Sequence, residues 1–471
     1  MKRYKYIYIL LFFICLSIPT IGLLWYEQPE VTENKVLTDR PEFMKEGTVN
    51  IRYLQDWQSY YMDHFAYRQE LVTANALVNS KVFGQSSEEL AIVGKDDWLY
   101  LKVSLADYQG TNLMSKRGLY CAARTLKLMQ EYVEGQGKQF VFASAPNKNT
   151  LYPQYMPDYY RVIDAGHNLD FLTPYLQSNG VNYVDLKALF QQTEEIRYHK
   201  GDSHWDNIGA AMVADALLSQ LKVEHTDYTG LDYDTVHNFQ GDIDKILYPL
   251  ARHPETEYDF SKYMSYTYAD GVGNVEAADI ETNCENKKLR LLCFRDSFGN
   301  SLLPFLANEF SYANFQKSVP YRLDAMYNKQ LDICILELVE RNLKQLTQFA
   351  PVMPAPLRSL DTELTAYESE NTKCEGSAFE DYYKLMGQVD ADYVAQESPI
   401  YIRLSNESQS YVLEATPVSE KDGQTQERYQ QDYGYVLYIK QHALPQGTYD
   451  VEVISRNGDT YVCKTKVKLA F

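Results

Sequence analysis

The sequence has no stripe of basic residues. Its 45 Lys and Arg stand against 64 Asp and Glu, for a formal net charge of −19. Phosphate binding needs clustered positive charge, so a nucleic-acid surface is excluded. Cysteine is also scarce, at seven in 471 residues. Cys15 falls in an apolar run, and the spacing of Cys121, Cys284, Cys293, Cys334, Cys374 and Cys463 resembles no zinc-ligand set, leaving disulfide pairing open. Cys293 and Cys334 lie in apolar strand patterns and read as small buried hydrophobes rather than reagents. Tyrosine, in contrast, is abundant at 41 residues. That suits half-buried packing as well as a carbohydrate-facing surface, and only position distinguishes them.

One uncharged apolar run, Tyr6 to Tyr26, is long enough to cross a bilayer and follows Lys2, Arg3 and Lys5. It reads as an uncleaved signal anchor over residues 1–28, with everything after it outside the cytoplasm; no small-x-small cleavage site follows it. Pro29 to Pro41 looks like a stalk. Val49 to Phe83 has helical spacing, and within it His64, next to Asp63 and near aromatic residues, reads as a structural hydrogen-bonded histidine. Gly94 to Tyr100 reads as a hairpin-like turn.

From there strands and helices alternate. Leu119 to Glu134 is expected as a helix, Gln139 to Ala145 as a strand, Leu169 to Ser178 as a helix, Val181 to Leu186 as a strand and Ile208 to Leu221 as a helix. The strands resume at Leu289 to Phe294 and Leu331 to Leu338, and Leu343 to Phe349 begins another helix. This pattern predicts an α/β fold with a parallel sheet covered by helices, spanning about residues 29–364. Residues 222–288 read as an insertion beside the site, with Gly241 to Leu247 as its one compact island. Residues 365–398 read as an acidic linker with a short helix around Phe379 to Met386. Period-two alternation in residues 399–471 predicts a small β-sandwich without catalytic motifs, free either to bind glycan or to cap the larger domain.

Two stretches carry chemistry. In Gly201-Asp202-Ser203-His204-Trp205-Asp206-Asn207, a carboxylate and an imidazole stand two residues apart at a loop, ahead of helix caps. In Leu291-Leu292-Cys293-Phe294-Arg295-Asp296-Ser297-Phe298-Gly299-Asn300, an apolar strand ends abruptly at a serine and a helical pattern follows. Such a turn exposes the hydroxyl and aims backbone N–H groups at an oxyanion, with Ser297 and Gly299 as the candidate donors. A serine needs a base and a group fixing the base's tautomer, and His204 and Asp202 fill those roles. Ser203 ranks behind Ser297 as nucleophile because no apolar strand leads into it. His199, Asp202 and His204 lack a further spaced ligand, so no metal and no cofactor is expected. Asn147, Lys148, Glu340 and Arg341 lie at expected strand ends and read as crevice walls that bind substrate.

These motifs, with Asp63-His64-Phe65, Gly94-Lys95-Asp96-Asp97-Trp98-Leu99-Tyr100, Pro146-Asn147-Lys148 and Glu337-Leu338-Val339-Glu340-Arg341-Asn342, resemble the SGNH-hydrolase-like acetyltransferases of extracytoplasmic polysaccharide modification. That group includes relatives of the alginate O-acetyltransferases and the bacterial DHHW family. The resemblance covers about Thr48 to Leu343. It implies Ser297 as nucleophile, His204 as base and Asp202 as orienting carboxylate, in the permuted order with Asp-x-His first. Ser203 stands where the DHHW name implies a second histidine. The resemblance also implies a polysaccharide acceptor and a membrane O-acyltransferase as donor partner. A carbohydrate esterase using the same triad, and a non-catalytic glycan-binding or envelope assembly protein, remain the alternatives.

Overall fold

A computed structural model describes residues 2–23, 25–26, 37–45, 47–163, 166–251, 253–419 and 433–471. Residues 29–36, most of the expected stalk, lie outside the described residues. Helix α1 (Lys2–Gly22) is the one helix among the described residues that is long and apolar enough to cross a membrane, with mean hydropathy 1.8 over Lys5–Gly22. Its last turn meets the segment after it: the Ala66 N–H donates to the Pro19 carbonyl at 3.1 Å, and the Thr20 and Tyr61 hydroxyls are 2.7 Å apart.

The helical stretch expected over Val49 to Phe83 is two helices, α2 (Tyr53–His64) and α3 (Arg68–Phe83). The break falls at Tyr67, whose φ of +62° lies in the left-handed region and ends helical continuity. Strands β1 (Ala91–Val93) and β2 (Leu99–Leu101) form the hairpin expected around Gly94 to Tyr100. Then follow α4 (Lys116–Glu134), β3 (Gln139–Ala145), α5 (Asn168–Ser178), β4 (Tyr183–Val184) and α6 (Asn207–Gln220). Of the strand expected over Val181 to Leu186 only the two residues of β4 pair, since Asp185 caps a new helical turn at the Ala188 N–H.

Residues 222–288 are more than an insertion. They hold strands β5 (Asp234–Phe239), β6 (Glu255–Asp259), β7 (Thr267–Tyr268) and β8 (Asp279–Asn283), and helix α7 (Asp242–Leu247). After them come β9 (Arg290–Phe294), α8 (Gly299–Ala307), β10 (Tyr312–Gln316) and β11 (Ile333–Val339). The helix expected from Leu343 to Phe349 is a single turn, Gln345–Gln348.

The seven-stranded sheet runs β4-β3-β11-β9-β10-β8-β7. Its first five strands are parallel, and β8 and β7 add an antiparallel edge. A parallel strand covered on both faces must be apolar on both, and every residue of β11 is buried. Alternate residues then feed two cores. Val141, Leu291 and Ile335 pack on one side with Leu217 and Leu302 of α6 and α8, while Phe140, Leu292 and Leu336 pack on the other with Leu126 and Leu172 of α4 and α5. All three strands that matter for the site, β3, β11 and β9, end side by side at one edge.

The segment expected as a linker is also structured. Strands β12 (Leu357–Arg358), β13 (Leu364–Tyr367), β14 (Lys373–Phe379) and β15 (Tyr382–Gln388) precede β16 (Tyr401–Ser405), β17 (Ser410–Glu414), β18 (Thr416–Val418), β19 (Gly434–Lys440), β20 (Thr448–Asn457) and β21 (Asp459–Ala470). Residues 382–386 are strand rather than helix because β15 pairs with β14 in a tight hairpin on one side and with the distant β19 on the other, and the β19 pairing cannot be seen in local spacing. A six-stranded sheet, β12-β17-β16-β20-β21-β13, and a four-stranded one, β14-β15-β19-β18, share one apolar cluster that includes Ile402, Leu404 and Val453 with Leu385 and Leu437. Cys293 and Cys334 are buried, as expected.

An ion network ties these strands to α4. Glu414 is 1% exposed and accepts from Arg124 at 2.6 and 2.7 Å and from Arg358 at 2.7 Å; both arginines also reach Glu131. Removing a buried partner leaves charges uncompensated, so Glu414→Gln should cost about 2 kcal/mol. A urea midpoint equal to the wild-type value would contradict this.

Candidate active site

Ser297 lies between the end of β9 and the start of α8, a strand-turn-helix placement. Asp296 shapes that turn. Its carboxylate accepts the Phe298 N–H at 3.0 Å and, across the sheet, the Val339 N–H at 2.7 Å, so the ends of β9 and β11 are stitched beside the serine. Gly299 is required by close approach: a Cβ there would sit 2.6 Å from Cβ of Arg295, whose guanidinium holds Asn300 and the carbonyl of Val275. The N–H groups of Ser297 and Gly299 meet no acceptor among the described residues.

The Asp202–His204 turn reaches the serine from the other side. Asp206 caps α6 through the Gly209 N–H at 2.6 Å. Trp205 donates its indole N–H to Ser301 of α8 at 2.8 Å and packs on Phe298, which also meets the His204 ring edge-on. The result is a relay. His204 Nε2 is 2.9 Å from Ser297 Oγ, and His204 Nδ1 is 2.6 Å from Asp202 Oδ1, which also accepts the His204 backbone N–H at 2.8 Å. Asp202 Oδ2 accepts the Asp242 N–H at 2.7 Å.

Electrostatics favour a base at His204. Burial would lower its pKa, but the adjacent Asp202 carboxylate outweighs burial and raises it above the ordinary 6.5. Burial would likewise raise Asp202, yet the His204 charge and the N–H donors of Asp242 and His204 hold it well below the usual carboxylate range. Asp202 therefore stays ionised and keeps the Nδ1 proton facing it, which leaves Nε2 to accept from the serine.

Asp242 is the residue that sequence reasoning missed. Its Oδ1 accepts the Ser203 N–H at 2.9 Å and its Oδ2 accepts the Ser203 hydroxyl at 2.7 Å, 3.8 Å from His204 Nδ1. Beside it Gly241 packs directly on the turn, where a Cβ would stand 2.2 Å from the Gly201 carbonyl oxygen. A Gly-Asp pair opening a short helix in otherwise loose sequence was the available signal. Asp202, His204 and Asp242 offer ligand atoms within 4.8 Å of one another. A cation ligated by His204 Nδ1 would have to displace that nitrogen's hydrogen bond to Asp202 and so break the relay. The Ser203 hydroxyl donates to Asp242 and lies 3.3 Å from His204 Nδ1, the nitrogen that faces Asp202, and His199 faces Glu257 at 3.0 Å against the Phe239 ring.

The expected crevice walls divide. Arg341 stands over the Phe298 ring, 5.6 Å from its centroid, and its guanidinium has no hydrogen bond or ion pair among the described residues. Asn147, Lys148 and Glu340 are instead buried. Glu340 accepts the Asn147 N–H at 2.9 Å and the Thr150 hydroxyl at 2.6 Å, and burial pushes its pKa up to about 7. Strand ends in this sheet place residues inward as well as toward the crevice, and these three point inward. His64 stacks on Tyr60 and bonds the Tyr60 carbonyl, a structural role as expected.

Residues 91–276 match the family model of the SGNH hydrolase-like domain, acetyltransferase AlgX. That stretch, less than half of the chain, is similar to the SGNH hydrolase-like domain of that acetyltransferase. The matched stretch contains Asp202, His204 and Asp242, and Ser297 follows it. Among solved structures, a DHHW family protein from Eubacterium siraeum is 16% identical over 56% of this chain and 100% of its own, with a TM-score of 0.41. PatB1 of Bacillus cereus is 16% identical over 53% of this chain and 95% of its own, TM-score 0.42. AlgX of Pseudomonas aeruginosa is 12% identical over 80% of this chain and 94% of its own, TM-score 0.35. No curated protein matches the chain.

A base at His204 works only when neutral, so with His204 in that role activity should fall as pH drops through its raised pKa, with an acid limb above 6.5. Asp202→Asn removes the raising charge: the limb should move to lower pH, and kcat should fall about ten-thousandfold. A pH–rate profile of both proteins checks the sign. Gly241→Ala should push the Asp202 turn away and lower kcat while leaving the serine in place; unchanged kcat would show the packing to be slack.

Proposed function

We propose that this chain is a membrane-anchored, extracytoplasmic O-acyltransferase, transferring an acetyl group to a cell-envelope or exported polysaccharide through Ser297, His204 and Asp202. The observation that carries the reading is the continuous relay from Asp202 through His204 to Ser297 Oγ, 2.6 and then 2.9 Å, at the end of a parallel strand. The acetyltransferase family model over residues 91–276 supports the acyl group as cargo. Helix α1 supports the anchor, and the two C-terminal sheets with one shared core support a sandwich module beside the catalytic domain.

In the proposed cycle Ser297 Oγ attacks the carbonyl of an acyl donor while its proton passes to His204 Nε2. The carbonyl oxygen turns anionic and meets the free N–H groups of Ser297 and Gly299, with the Arg341 guanidinium as a nearby positive charge. The donor's leaving group departs with the proton from His204, and an acyl ester on Ser297 remains. A sugar hydroxyl then gives its proton to His204 and attacks that ester, and Ser297 regains its proton as the acylated sugar leaves. The chain order Asp202, His204, Ser297 is the permuted one. Acetyl donors such as coenzyme A are cytoplasmic, so the proposal includes a membrane O-acyltransferase partner that hands the group across.

The test uses p-nitrophenyl acetate with intact-mass detection. Ser297→Ala and His204→Ala should each lower turnover at least about a thousandfold, and the wild type should gain an acetyl adduct on Ser297. Ser203→Ala should keep most of the activity. A dead Ser203→Ala beside an active Ser297→Ala would overturn the nucleophile. Adduct transfer to water alone, with every oligosaccharide acceptor tried, would make the enzyme an esterase.

A further inference from the structure

Lys148 was expected at a crevice wall and is instead 5% exposed, at the start of a helical turn, Lys148–Leu151, just past β3. Its ammonium donates to three carbonyls at once: Leu99 at 2.7 Å, Lys200 at 2.6 Å and Asp202 at 2.9 Å. The rings of Trp98 and Tyr100 flank it, 4.8 and 5.2 Å from the nitrogen. Both rings come from the β1–β2 hairpin, and the Leu99 N–H donates to the Lys200 carbonyl at 2.9 Å, closing the hairpin onto the turn. A buried lysine has three N–H donors and here has three acceptors, with aromatic faces where water would otherwise be.

We propose that Lys148 is the positioning residue of the catalytic turn: its ammonium, clamped on the carbonyls of Leu99, Lys200 and Asp202 between Trp98 and Tyr100, holds Asp202 against His204. The proposal rests on the reading of Asp202, His204 and Ser297 as the catalytic relay. It gives one physical role to two motifs that relay leaves unused, Gly94 to Tyr100 and Pro146 to Lys148.

The clamp works only while charged. A neutral amine has two N–H donors for three carbonyls, so one carbonyl loses its partner. Burial lowers the Lys148 pKa to about 7, against the pull of Asp202, Glu255 and Asp242 and together with the push of Lys200. Tyr100 is the other titratable group in the box, and burial raises it far beyond neutrality, so it stays uncharged. The wild type should therefore show an alkaline limb close to neutral pH, opposite in sense to the acid limb of His204.

Lys148→Met should lower kcat roughly a hundredfold by letting the turn shift, with KM little changed and no alkaline limb. Lys148→Arg keeps a charge at every pH, so it should retain more activity than Lys148→Met and lose the alkaline limb. If Lys148→Met melts early, Trp98→Phe serves instead: it keeps the charge, weakens the box, and should move the alkaline limb to lower pH. The measurements are pH–rate profiles with p-nitrophenyl acetate beside the extent of Ser297 acetylation by intact mass. Wild-type kcat in Lys148→Met, or a wild-type alkaline limb in Lys148→Arg, would overturn the proposal. Absence of a Ser297 adduct in the wild type would instead overturn the triad reading on which it rests.

Discussion

The site depends on one short turn that buries a carboxylate. Asp202 is 5% exposed, and an ionised group so placed is stable only if its lone pairs are filled. Here the His204 backbone and Nδ1 groups fill one oxygen and the Asp242 N–H fills the other. The His204 groups that satisfy the charge also orient the imidazole, so folding the turn and aiming the His204 ring are the same event.

Everything around the turn serves to hold it in reach of a serine on another element. The parallel sheet brings the ends of β3, β11 and β9 together, Asp296 ties β9 to β11, and Trp205 reaches from the turn to α8. From below, Lys148 and Gly241 press on its backbone through a buried cation and through the absence of a side chain. The serine side is set by sheet packing, and the histidine side is assembled from several loops.

How much of this was legible follows from which contacts are local. The strand ending at Ser297, the Asp-x-His spacing and the Asp206 cap are short-range patterns, and each falls where the sequence places it. β3 has the expected bounds, and β9 and β11 lie within two residues of theirs, because strands buried on both faces read as unbroken apolar runs. Partners fixed by tertiary packing were not legible. Asp242 sits in a segment that looked like an insertion, yet it closes the network behind Asp202. Lys148 and Glu340 lie at strand ends, where sequence cannot tell a side chain aimed at the crevice from one aimed inward. The strands β13 and β15 were hidden because β21 and β19, with which they pair, lie up to about a hundred residues later in the chain, beyond any local period.

The central claim is that Ser297 is made nucleophilic by His204. Sulfonylation by phenylmethylsulfonyl fluoride, located by peptide mass mapping, reports on that pair without requiring a natural donor or acceptor. The account predicts a single modified residue, Ser297, in the wild type and its loss in His204→Ala. Modification of Ser203, or of Ser297 at an equal rate without His204, would contradict it.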